Sequence, residues 1–209
     1  ITNNKDNDVD FDTKDKACNI LECAGLIHDI GNPPFGHFGE DYIRVWFKNN
    51  LSQIKYNGNA VSEYLNDEML NDFYNFEGNA QALRLLTKLH FLIDKNGMNL
   101  TYALLNTIIK YPVSSCEIDK SCKDIKKKKM GYYYSENDIF NNIVKTTGAN
   151  NCRHPLAFIL EAADDIAYKT ADLEDAIKKG CLTYDILISE LDHQKYKSKC
   201  NEKGELTEY

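Results

Sequence analysis

Two histidines, two carboxylates, three glycines and two prolines crowd into the thirteen residues HDIGNPPFGHFGE, from His28 to Glu40. A histidine followed directly by an aspartate, as in His28-Asp29, can offer one cation both a borderline nitrogen and a hard oxygen. Gly31, Pro33, Pro34 and Gly36 then forbid a continued helix and hold a short, defined loop. Beyond the loop His37 and Glu40 stand three apart at a helix start, so their side chains can share one face. A bare His-Asp is common by chance. The pair inside this loop, with a second acid/base pair after it, is far more specific.

The surrounding elements decide where these groups point. A helix is predicted from Ala17, with Ala17, Ile20, Leu21, Ala24 and His28 at helical spacing, which sets His28 on the inward stripe. Burying His28 and Asp29 together costs several kcal/mol unless they are paired or hold a metal. A second helix is expected over 39–48 with Ile43, Trp46 and Phe47 packing. Residues 49–75 read as polar and irregular. Helical spacing returns over 76–92, with His90 on its packed edge, and over 99–111, where Leu100, Leu104 and Ile108 form a stripe that Pro112 ends.

Residues 113–131 break this pattern with the run Lys126 to Lys129. Most such lysines belong to a solvated loop, while one or two could reach a polyphosphate, a task suited to a flexible point charge. A long helix follows over 155–179, opened by Pro155 and stopped by Gly180. Along it Asp164, Tyr168 and Asp172 recur every four residues and share one face. That stripe is either a wet helix face or a functional one. Asp164 follows two alanines in an apolar stretch; Asp165 projects about 100° away from the face of Tyr168. A short helix at 183–193 precedes a polar tail. No strand pattern is long enough to trust, so the chain reads as all-α.

Composition bounds the remaining choices. The chain has 209 residues, 27% of them charged, with a net charge of −7. That suits one sizeable domain or part of a larger protein, without advertising nucleic-acid binding. No apolar run reaches membrane-spanning length. The first sixteen residues are polar, resemble no signal peptide and lack an initiator Met, which predicts a start inside a longer protein. Seven cysteines without a CxxC pair argue against a zinc knuckle and for a reducing, cytoplasmic setting. Cys18 and Cys23 are expected to act as small hydrophobes within their helix.

The His28–Glu40 stretch resembles the HD-domain phosphohydrolases, in particular the deoxyguanosine triphosphate triphosphohydrolase branch. NFEGNAQALRL (75–85) and PLAFILEAADDIAYKTADLEDAI (155–177) match that branch, with weaker matches at IIKYP around Lys110 and KKMGYYYSE from Lys128. They run in family order over roughly 17–185. The resemblance implies an HD-domain helical fold, forming part of a larger all-helical protein. The HD core is expected over 17–185, with a lysine-rich insertion at about 113–131. Flanking it would be a polar loop at 1–16 and a polar tail at 186–209.

It also implies a metal site of one upstream histidine, the His-Asp doublet and a later aspartate. Here His28, Asp29 and Asp164 fill three positions for one divalent ion, Mg or Mn, or another transition metal. Residues 1–27 contain no histidine. His154 lies about 15 Å from Asp164 along a helix, too far to share the ion. The expectation is therefore a piece of a longer protein with an incomplete site. The implied reaction hydrolyses a deoxynucleoside triphosphate, dGTP by family, to deoxynucleoside and tripolyphosphate. His37 would pass a proton to the departing 5′-oxygen, with Glu40 orienting it. Lys129, Lys110 beside Tyr111, and Asn79 would meet the phosphates; Tyr168 and Asp172 would meet the sugar.

The implied partners are the dNTP, a second copy of the full-length chain in a homo-oligomer, and single-stranded DNA, with no membrane. Two rival readings remain. One is an HD-fold nucleotide- or single-strand-binding regulatory module without turnover, which would not need His37 and Glu40. The other is an HD nucleotidase acting on another nucleotide, which would not need the lysine-rich segment.

Overall fold

The apolar stripe predicted from Ala17 is the inward face of helix α1, Phe11–Ile27. The computed structural model describes residues 11–90 and 95–197. Helix α1 starts at Phe11, inside the stretch read as a polar loop. Ile20, Leu21, Ala24 and Ile27 pack into the main core, whereas Cys18 and Cys23 fall off that stripe and are exposed, not packed. Two more helices complete this layer, α5 (Tyr102–Ile108) against α1, and α6 (Asn137–Thr147) against α5. Leu104, Leu105 and Ile108 interlock there with Phe140, Ile143 and Val144. Each such fully buried aliphatic side chain contributes roughly 1.5–3 kcal/mol. Capping fixes the ends: the Thr101 hydroxyl accepts the Leu104 N–H at 3.3 Å, and Gly148 closes α6 at φ 73°.

The second layer carries the motif. Helix α2 spans His37–Asn50 and packs on α3, Asp67–Tyr74. The polar composition of 49–75 conceals α3, whose start is capped by Asn66 accepting the Met69 N–H at 2.8 Å. The same stretch holds a miniature hairpin, β1 (Lys55–Tyr56) and β2 (Asn59–Ala60), with Lys55 opposite Ala60. Its turn, Asn57-Gly58, has both φ values positive, the geometry an Asn-Gly pair favours. Trp46, expected to pack, is exposed on α2.

The helix predicted over 76–92 is instead α4, Gly78–Arg84, followed by one π-helical turn at Leu85–Leu89. His90 lies beyond that turn and is exposed, not on a packed edge. Helix α7 runs Pro155–Lys178, close to its predicted span, and α8 runs Tyr184–Lys197. The fold is all-α, as expected.

The chain divides into two compact units, Ile1–Glu161 and Ala162–Tyr209. The second comprises the C-terminal part of α7 and α8, joined through Gly180 at φ 71°. Its turn is closed by the Cys181 N–H donating to the Ala176 carbonyl at 2.9 Å. Among the described residues no helix is long and apolar enough to cross a membrane.

Candidate functional site

His28 stands one residue past α1, its N–H still donating to the Ala24 carbonyl at 2.9 Å. Ring Nδ1 lies 2.9 Å from the Gly25 carbonyl. A carbonyl only accepts, so Nδ1 carries the proton, and Nε2 faces the Asp29 carboxylate at 3.4 Å. The joint burial expected for the doublet is only half realised. The His28 side chain is 15% exposed and that of Asp29 is 65% exposed, because the chain turns into solvent straight after the helix.

The loop is pressed onto the start of α4. A Cβ at Gly31 would stand 2.1 Å from the Gly78 carbonyl oxygen, and one at Gly78 would stand 2.4 Å from the Asn32 side chain. Only hydrogens fit between these backbones. Phe35 and Gly36 are both left-handed, φ 67° and 55°, which redirects the chain into α2.

His37 and Glu40 then meet on the first turn of α2, Nδ1 to Oε2 at 3.1 Å. Their environments are opposite: the imidazole is 84% exposed and the carboxylate 2%. Burial pushes the Glu40 carboxyl up. The Gly78 N–H on Oε1 at 2.8 Å, His37, and the charges of Lys129 and Arg44 together outweigh it, and its pKa is lowered below the ordinary 4.5. Glu40 is thus a fixed anion behind a solvent-facing imidazole. It can orient the ring and stabilise its charged form.

A second buried carboxylate lies beside it. Glu77 is 1% exposed and receives Arg44 Nη2 at 3.1 Å, Lys129 Nζ at 3.0 Å and Asn79 Nδ2 at 2.9 Å. Arg44 Nη2 also reaches Glu40 at 3.1 Å, while its Nε donates to the Phe76 carbonyl at 2.7 Å. Two of the residues assigned to phosphates, Lys129 and Asn79, therefore belong to this network. Arg44 and Glu77 were not singled out from the sequence. Arg44 sits one turn after Glu40, and Glu77 lies inside the quoted FEGNAQ stretch, but their pairing spans 33 positions.

The two weaker matched stretches come together as well. The Gly131 N–H donates to the Val113 carbonyl at 3.0 Å, which brings Lys129 and Met130 alongside Lys110 and Tyr111. Tyr111 is buried, and that burial raises its phenol pKa. Its ring is part of the wall and not a free surface group. His154 serves locally: Nδ1 accepts the Leu156 N–H at 3.3 Å near the start of α7, and burial lowers its pKa.

Asp164, Tyr168 and Asp172 belong to the second unit, on one face of α7, with Asp164 half-buried and the other two exposed. Asp165 instead pairs with Lys169 at 3.1 Å, an exposed couple one turn apart. Among the described residues no group of three or more His, Cys, Asp or Glu could hold a metal ion. His28 and Asp29 alone supply two donors, so these residues do not by themselves fit a closed metal site.

A buried anion behind an exposed histidine thus follows the His-Asp doublet across the glycine-proline loop. The HD-domain family model matches residues 11–169. The deoxyguanosinetriphosphate triphosphohydrolase-like protein of Listeria innocua is 56% identical over 84% of this chain and 37% of its own length. That of Pseudomonas aeruginosa is 42% identical over 79% of this chain and 37% of its own. The deoxyguanosinetriphosphate triphosphohydrolase of Serratia proteamaculans is 36% identical over 82% and 37%. The chain belongs to the HD-domain family. It spans a little over a third of the length of these relatives.

Proposed function

We propose that the full-length protein carrying this chain hydrolyses a deoxynucleoside triphosphate, dGTP first among them, to deoxynucleoside and tripolyphosphate. The observation that carries the reading is the His37–Glu40 pair, an exposed imidazole 3.1 Å from a buried carboxylate of lowered pKa. Water attacks the α-phosphorus, its released proton passing to solvent, and the bond to the 5′-oxygen breaks. Protonated His37 gives its proton to that oxygen, and Glu40 stabilises the charged ring before the transfer. His28 and Asp29 are the first unit's candidate donors for a divalent cation, Mg or Mn, which when bound would neutralise phosphate charge.

Lys129, held by Glu77 at 3.0 Å, and Lys110 supply positive charge for the triphosphate. Asn79 and Tyr111 shape the same wall, and Tyr168 and Asp172 are assigned to the sugar. The exposed Phe38, Tyr42 and Trp46 of α2 support a homo-oligomer. The deciding experiment follows dGTP with Mg or Mn and the full-length protein. Stoichiometric deoxyguanosine and tripolyphosphate are expected; release of single phosphates, or no turnover with any dNTP, would overturn the reading.

A further inference from the structure

A cleft of about 240 Å³ opens beside the Arg44–Glu77 pair, between α2, the segment around Tyr74 and Asn75, and the lysine-rich segment. Five cations line it: Arg44, Lys48, Lys120, Lys128 and Lys129. Its two carboxylates are already engaged, Asp41 by Arg44 at 2.8 Å and Glu77 by Arg44 and Lys129. The side-chain ammonium groups of Lys48, Lys120 and Lys128 form no ion pair or hydrogen bond among the described residues. Three ammonium groups without an ion-pair partner, one from α2 and two from the lysine-rich segment, thus line one small concavity. Like charges repel, and a cleft focuses their field, so an anion is attracted to these exposed ammonium groups and, held among them, relieves their repulsion.

The shape selects the kind of anion. A single-stranded nucleic acid needs a groove that tracks its backbone, with aromatic faces for successive bases. This cleft is short and offers one aromatic side chain, Tyr74. Lysines on flexible stems suit a compact anion of high charge density, whereas bidentate recognition of a single group calls for arginine. We propose that this cleft is a binding site for an inorganic oligophosphate, held by Lys48, Lys120 and Lys128. It adjoins the His37–Glu40 pair through Arg44, and its occupancy does not depend on hydrolysis.

The test measures binding of sodium tripolyphosphate to EDTA-treated full-length protein, so that no divalent ion bridges the anion to the His28-Asp29 doublet. The parent should bind, more weakly as salt screens the charges. The triple variant K48Q/K120Q/K128Q should bind at least tenfold more weakly with an unchanged circular dichroism spectrum. Lys123→Gln, exposed in the same segment but not lining the cleft, should bind as the parent does. Equal affinity in the triple variant and the parent would overturn the proposal, as would an equal loss in Lys123→Gln. Tight binding of oligothymidylate but not of tripolyphosphate would replace it with a nucleic-acid site. Since no turnover is read, a protein that fails to hydrolyse dGTP yet binds tripolyphosphate through these lysines would sink the proposed function alone.

Discussion

Glu40 and Glu77, both buried, share one guanidinium: Arg44 Nη2 stands 3.1 Å from a carboxylate oxygen of each. Two buried carboxylates side by side repel strongly, and Lys129, 3.0 Å from Glu77 and 3.7 Å from Glu40, supplies the second balancing charge. The quartet is neutral only as a whole. It ties α2, the start of α4 and the lysine-rich segment to one point.

Arg44→Ala should therefore destabilise the protein by about 3–5 kcal/mol, the usual result of stranding buried charge. Denaturant unfolding checks this. A loss under 1 kcal/mol would mean that Lys129 alone satisfies both carboxylates.

Acid should unfold the protein partly through Glu40. Its folded pKa lies below 4.5, so its ionised form contributes stability above the unfolded value, lost as pH falls through the folded one. Melting temperature should drop less between pH 7 and pH 3 in Glu40→Gln than in the parent. Parallel acid limbs would show that Glu40 is not the linked group.

Proton transfer is assigned to His37, whose side chain among the described residues bonds only Glu40. His37→Ala should cost about 100-fold or more in turnover and leave bound metal unchanged. Loss of metal in that variant would make His37 a ligand instead.

On α7 the neighbours Asp164 and Asp165 have different surroundings, half-buried against exposed and paired with Lys169. In the full-length protein Asp164→Ala should abolish bound metal, and Asp165→Ala should leave most of it, as read by elemental analysis. Identical metal content in Asp164→Ala and the parent would refute the ligand assignment.

What was legible in the chain is what repeats or caps locally. Ile20, Leu21 and Ala24 announced α1, Pro155 and Gly180 bracketed α7, and the spacing of His37 and Glu40 was enough to place them on one turn. Helix α3 was hidden because it is short and set in a polar stretch, and is held by its cap and by packing against α2. The π-helical turn at Leu85–Leu89 interrupts a pattern that period counting reads as continuous. Residue spacing could not disclose the Arg44–Glu77 pair, because only the folded chain brings those positions together. For the same reason Lys129 was legible as a charge but not as a partner of Glu77.

The contact of the Gly31 loop with Gly78 has a consequence for how this motif can be moved between proteins. Thirteen consecutive residues look like a self-contained cassette. Yet the carboxylate that closes it borrows a backbone N–H from Gly78, 38 residues away, and the loop's glycine needs a bare backbone to lie on. Transplanted into another helical pair without a glycine-started helix to receive it, the cassette would keep its letters and lose its shape. The portable unit is the loop together with Phe76–Asn79.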